Sequence, residues 1–374
     1  MKKFILALLS ALFIFNLVPS NLVSASAEEN VIRLISKPHQ LSNGKFRDDT
    51  LTSDLLSTGR LGKPLELIRT VERTWIIDGA LLDEIFNMAG GYSLISSEEP
   101  VGQLIAKEWL SRLKLATSGD RVIALPYGNP DRISAKKYAP SELRFYSSYG
   151  VERVSFHLNR QISSESGLLW STGRSRLSQE LREKYTESRQ KITALSSVVD
   201  AEIIKAQRAK LATLLSPKLN RIDREFFTQD SFSGVATTLN KLRVTSGNYQ
   251  IASEKGKLPV SVINQFDVPV TVNLKLTPLN SRVQLSEIST LEISANSRTQ
   301  LNVPFSVIAP GSTVVVVQIE NLKGMKVGAE AKLTINVKIF DSRVTAFTIG
   351  AALLLFGAAL TQTIRRIRRG RHEK

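Results

Sequence analysis

The chain has 374 residues, 42% hydrophobic and 22% charged, with 21 Gly and 13 Pro, a length suited to two folded bodies and a composition that excludes disorder throughout. It has no Cys and three His (His39, His157 and His372), the last near the C-terminus, which excludes disulfides, thiol nucleophiles, iron–sulfur clusters and a three-His metal site. The formal charge of +16 sits largely at the ends, with +2 from Lys2 and Lys3 and +5 over residues 364–374, so the remaining +9 is spread too thinly for nucleic-acid binding.

At the N-terminus Lys2-Lys3 precedes the apolar run Phe4 to Val18, and Ala25-Ser26-Ala27 supplies small residues before Glu28. That three-part layout predicts a signal peptide over 1–27, too short for a span and broken by Pro19. Residues 28–59 read as an N-terminal extension. The stretch 60–235 then alternates short apolar runs with helical periodicity. Thr74 to Asp78 (TWIID) reads as a strand, Leu81, Leu82, Ile85, Phe86 and Met88 as a helix, and Leu104, Ile105, Trp109, Leu110 and Leu113 as a second helix. RVIALPY (121–127) reads as a buried strand ending in a turn. His157, beside alternating Val154, Phe156 and Leu158, reads as a strand residue.

Gly167 to Trp170 and Ile192 to Val199 are further strand candidates, separated by a helix around Leu177 to Tyr185, and a helix follows from Asp200 to Leu215. Alternating strands and helices predict an α/β domain, an open parallel sheet or a partial β/α barrel. A rival reading of 174–215 is one amphipathic helical hairpin.

Residues 238–340 change to a two-residue period. Leu258, Val260 and Val262 share a face, as do Val270, Val272, Leu274 and Leu276, then Leu301, Val303, Phe305 and Val307, then Leu333, Ile335, Val337 and Ile339. Turn residues at 264–267, 278–281, 295–297, 310–311 and 324–328 separate them. Seven or eight strands in about 100 residues predict an all-β, immunoglobulin-like sandwich.

Val344 to Ile364 is 21 residues without a charge, about 31 Å as a helix, and RRIRRGRHEK follows at 365–374. A transmembrane helix with a basic cytoplasmic tail is expected, giving a single-pass type I cell-membrane protein with its bulk outside and the tail against anionic lipid. Lack of Cys in an exported chain points to a bacterium.

Ligands of parallel α/β sheets bind beyond the carboxyl ends of the strands. Trp75, Asp78, Tyr127, Asp131 and Trp170 are therefore the candidate ligand-binding residues, two carboxylates among aromatics that could hold a sugar ring. Asp78 before Gly79 and Asp131 after Pro130 have a competing role as helix and turn caps. No nucleophile elbow, Walker loop or dinucleotide fingerprint is present, so no catalytic residue, metal or cofactor is assigned.

Four stretches, TWIIDGALLDEIFNMAGGY at 74–92, ALPYGNPD at 124–131, LPVSVINQFDVPVTVNLKL at 258–276 and the final span with its RRIRRGR tail, resemble an actinobacterial family of single-pass envelope proteins encoded beside the lipid II flippase MurJ (MviN). Members are commonly longer, with a further sandwich ahead of the α/β region, and have no established activity. The resemblance implies a cell-wall context, linked to peptidoglycan precursor export or assembly. The expected role is a membrane-anchored extracytoplasmic binding or scaffold protein that contacts cell-wall glycan or a flippase or other envelope protein. The alternatives are a carbohydrate-active enzyme using the rim carboxylates and an accessory subunit of a polytopic transporter.

Overall fold

A computed structural model describes residues 30–67, 72–163, 165–338 and 342–370. The expected signal peptide and its cleavage point lie outside these residues, as do Ile339 and Asp341.

The N-terminal part is built on three parallel strands, β1 (Asn30–Leu34), β2 (Arg73–Ile77) and β3 (Arg121–Ala124), side by side in chain order. β2 is central, pairing Trp75 with Ile32 on one side and Val122 on the other. It is buried along its length because helices and loops cover both faces, which is why its sequence is an unbroken apolar run. Between β1 and β2 lie α1 (Thr50–Leu55) and α2 (Lys63–Glu66); α3 (Gly79–Gly90) and α4 (Gln103–Thr117) join β2 to β3, and α5 (Arg132–Tyr138) and α6 (Leu143–Leu158) follow. Leu34, Leu51, Leu55, Trp75, Ile77 and Trp109 share one core. The segment 28–59 is thus no extension. It supplies an edge strand and a packed helix, because Val31 to Leu34 finds a partner about 40 residues downstream.

α6 approaches β3 closely at Gly150, where an added Cβ would lie 2.1 Å from the Leu125 carbonyl oxygen and 2.8 Å from the Tyr127 nitrogen. Backbone cannot yield as a flexible side chain can. Gly150→Ala is therefore expected to cost about 1–3 kcal/mol by overpacking, despite the better helix propensity of Ala; an unchanged denaturant midpoint would refute this close contact.

Three strand expectations fail. Gly167 to Trp170 is a turn, with Gly167 at φ +78° and donating its N–H to the Ala124 carbonyl. Leu168 is exposed there, so no apolar face demands a strand. Ile192 to Val199 instead ends α7 (Gln179–Leu195) and the turn after it. Ile192, Leu195 and Val199 are buried, as is Ala194, and recur at i, i+3 and i+7, a helical spacing hidden by β-branched neighbours. With α8 (Glu202–Lys210), which continues as a 3₁₀ turn over Leu211–Leu215, α7 makes the hairpin of the rival reading. His157 likewise belongs to α6, whose buried face runs through Tyr146, Gly150, Val154 and His157. Among the described residues the parallel sheet therefore stops at three strands.

α9 (Arg221–Leu239), capped by the Asn220 side chain on the Asp223 N–H, leads into the β region. Nine strands follow: β4 (Leu242–Val244), β5 (Gly247–Ile251), β6 (Lys255–Asn264), β7 (Val270–Pro278), β8 (Val283–Leu285), β9 (Ile288–Ile293), β10 (Ser297–Val307), β11 (Gly311–Glu320) and β12 (Lys326–Val337). Their order is β8-β10-β6-β4-β12-β11-β7-β9, with β5 also on β12. β4 is the seam, pairing with β6 over three residues and with β12 only at Arg243↔Ala329, so the sheet curls there. The alternating residues Val260, Val262, Val272, Leu274, Val315, Val317, Leu333 and Ile335 are all buried in one core, as their two-residue period requires. That core runs without a break into α7 and α9 through Ile192, Leu195 and Leu239, and Asn321 donates to the Ser197 hydroxyl at 2.8 Å. The last element is α10 (Ser342–Gly370), in which no part of the apolar window Thr348–Arg365 is buried.

Candidate functional site

Asp78 follows the last residue of β2 and the loop 125–131 follows β3, so both stand at the carboxyl end of the sheet. Asp78 caps α3, its Oδ1 accepting from the Ala80 N–H at 3.0 Å and from the Gly128 N–H at 2.8 Å. Gly128, at φ +75°, lies against Thr213, where a Cβ would come within 2.7 Å of the threonine methyl. The 3₁₀ turn over Leu211–Leu215 thereby closes the rim. The cavity left beside Asp78, Glu84, Gly128 and Thr213 is about 10 Å³, room for about one water.

Burial pushes the Asp78 carboxyl up to about 7, against the two N–H groups that favour its charged form. The folded chain therefore holds a proton that the unfolded chain, with its carboxyl near 3.8, has released. The stability this contributes is full below about pH 3.8 and is lost as pH rises to about 7. Asp78→Asn keeps an acceptor for both N–H groups and cannot ionise. Relative to the parent it is expected to gain about 1–3 kcal/mol between pH 5 and 8; denaturant titrations in detergent at both pH values check this, and parallel pH dependences would contradict it.

Asp131 caps α5 from the Ile133 N–H at 3.0 Å and also accepts from the Ser134 hydroxyl and the Ser175 N–H. Burial raises its pKa, but these donors outweigh it and hold the carboxyl below its ordinary value. Trp75 is far from the rim in role, buried in the sheet core with its indole N–H on Asp120 at 2.9 Å. Trp170 is half-buried against the shared core, next to Ser171, which bridges to Asp131. Of the five candidates, then, the structure joins Asp78 to the Tyr127–Gly128 turn, while Asp131 turns toward α5 and Ser175.

A polar node centred on Asp83 was not among the candidates, although its partner Tyr127 was. Asp83, on α3, accepts from Arg153 Nε at 2.8 Å and His157 Nε2 at 2.6 Å through Oδ1, and from the Tyr127 hydroxyl at 2.9 Å through Oδ2. Next to it Glu84 is buried, accepting from the His39 and Gln40 N–H groups, and burial raises its pKa. The partners lie 44 to 74 residues from Asp83, so no local spacing reveals the node. Among the described residues no group of three or more His, Asp or Glu could hold a metal.

Near this node a groove of about 600 Å³ lies between α3, α4 and α6. Lys107, Leu110, Ser111 and Lys114 form one stripe of α4 along it. Phe86, 48% exposed, and Phe156, 57% exposed, face them with ring centroids 6.2 Å apart, edge to face, and His157 sits in the wall. Neither Lys107 nor Lys114 has a carboxylate partner among the described residues. The groove thus offers aromatic faces to an apolar body or sugar ring and two ammonium groups to an anion.

Comparison with known proteins gives a family but no activity. No curated protein matches the chain. Among solved structures, WR4, a C. elegans MSP family member, is 14% identical over 26% of this chain and 99% of its own, with a TM-score of 0.21. Salmonella alpha-2-macroglobulin is 20% identical over 26% of this chain and 7% of its own, with a TM-score of 0.21, and the E. coli chaperone DraB 14% identical over 26% and 55%, with a TM-score of 0.19. No functional argument rests on likenesses of this size. Residues 160–372 match the profile of a family of unknown function, DUF6049, and with more than half its length so matched the chain belongs to that family.

Proposed function

We propose that this chain is a membrane-anchored binding or scaffold protein of the bacterial cell envelope, its folded body outside the cytoplasm and its role tied to peptidoglycan precursor export or cell-wall assembly. One observation carries the anchoring. The 18 residues Thr348–Arg365 are helical, apolar and wholly unburied, and such a surface is stable in hydrocarbon rather than in water. Arginines from Arg365 onward favour a cytoplasmic C-terminus. The cell-wall context rests on the family resemblance of the four quoted stretches. Binding is favoured over turnover because the rim carboxylates are engaged as caps, while the open groove beside Phe86 and Phe156 has no carboxylate among its described lining residues.

A second reading, a carbohydrate-active enzyme, is favoured by one feature, the Asp78 carboxyl pushed up to about 7, where it could act as an acid. The full chain in detergent, mixed with purified cell-wall fragments, separates the two. Saturable binding without released product, weakened by Phe86→Ala and Phe156→Ala, is the expected result. Product release abolished by Asp78→Asn would establish the enzyme instead, and neither binding nor release would remove glycan as the ligand.

A further inference from the structure

The sandwich has two ends, and the covalent chain holds one of them near the bilayer. β12 ends at Val337 and α10 begins at Ser342, a link of at most about 17 Å. From Ser342 to the apolar window at Thr348 the helix rises only about 9 Å more. Strand register identifies what else lies at that end. Val337 pairs with Gly311 of β11 and Ile251 of β5, and Val307 pairs with Val283. The Ile308 N–H donates to the Arg282 carbonyl, the Val307 N–H to Glu254, and the Leu279 N–H to Val314. The turns 252–254, 279–282 and 308–310 therefore share the Val337 end.

Those turns are unusual in what they expose. Leu279 is 67% and Ile308 65% exposed, at the tips rather than on a packed face. Around them Lys255, Lys257, Arg282 and Lys338 are all exposed, and none has an ion-pair partner among the described residues. The turns carry one carboxylate, Glu254, and the link to the helix adds Asp341. Aliphatic tips ringed by lysine and arginine match the layering of a bilayer surface, with acyl chains below anionic headgroups.

We propose that this end of the sandwich rests on the membrane, Leu279 and Ile308 entering the headgroup layer while Lys255, Lys257, Arg282 and Lys338 meet the phosphates of anionic lipid. The proposal rests on the anchoring reading but not on which side of the membrane the body lies. Tethering makes the contact intramolecular, so modest attraction suffices; each basic residue near an anionic surface contributes about fivefold in occupancy. The sandwich then stands at a fixed height and cannot swing freely on its link.

The chain has no Cys, so Leu279→Cys and Leu322→Cys each accept a single polarity-sensitive fluorophore. Leu322, 63% exposed, is in the turn at the other end of β12, about 35 Å away along the strand. The full chain is reconstituted into phosphatidylcholine vesicles with and without phosphatidylglycerol, some carrying a headgroup spin label. Flotation with the vesicles after alkaline extraction tests the anchor separately. The expected result is quenching at 279 several-fold above that at 322, greater with phosphatidylglycerol, and reduced by 1 M salt or by combined Lys255→Glu, Lys257→Glu and Lys338→Glu. Equal quenching at both positions in a chain that floats would overturn the contact and leave the anchor standing. Protection at 279 that rises with protein-to-lipid ratio would instead assign this face to a second copy, and failure to float would remove both readings.

Discussion

Asp83→Ala is expected to destabilise the folded chain by about 2–4 kcal/mol, the cost of removing one partner from a partly buried charged network, discounted for its exposure to water. The carboxylate satisfies three donors at once, from α6 through Arg153 and His157 and from the β3 rim through the Tyr127 hydroxyl. Without it the Arg153 guanidinium loses its ion pair, and the buried Tyr127 hydroxyl and His157 ring lose their acceptor. α3 and α6 are joined through this node, so their packing around Phe86 and Phe156 should loosen with it. Asp83→Asn, which keeps an acceptor but not the charge, should fall between parent and Ala. The Asp83→Ala/Arg153→Leu pair should cost less than the sum of its single changes, since the second removes the orphaned charge. Denaturant midpoints of the parent, the two Asp83 variants, Arg153→Leu and the double variant check this; additive losses would show that Asp83 and Arg153 act independently.

Arg208→Met is expected to cost a comparable 3–5 kcal/mol, roughly, by stranding a buried carboxylate. Glu142 is completely buried between α5 and α6, and Arg208 of α8 reaches it with Nε 2.5 Å from Oε2. The Thr193 hydroxyl of α7 also donates to Glu142, so one carboxylate ties the hairpin to the α/β part. Arg208 lies over the Phe145 ring at 4.1 Å, a contact Met largely keeps, so the loss should report the charge rather than the packing. The double change Arg208→Met/Glu142→Leu should recover most of the stability, because burying two apolar groups avoids the desolvation of both ions. No recovery would mean that Thr193 and its neighbours need the carboxylate itself.

The β region was legible in the sequence because each strand carries one buried face, and the alternation at Val270 to Leu276 or Leu333 to Val337 has no helical equivalent. The apolar helix Val344 to Ile364 was legible for a related reason, its lack of any charge. The middle of the chain was not. Ile192 to Val199 and Val154 to Leu158 mix β-branched and aromatic residues that favour a strand locally, and only their partners across the fold decide for helix. β1 was missed because a five-residue strand has a recognisable face only once β2 is beside it. At the site, capping by Asp78 and Asp131 was foreseeable from the residues that follow each. The node at Asp83 was not, since an acidic residue on an amphipathic helix reads as solvated surface until Arg153 and His157 are brought to it from α6.

The proposed function requires a body held outside the cytoplasm by one C-terminal helix. Protease added to intact spheroplasts expressing the chain with a C-terminal epitope tests this directly. The account predicts that residues ahead of Ser342 are digested while a short tagged fragment containing Thr348–Arg365 survives; full-length chain that resists digestion until the membrane is broken would contradict it.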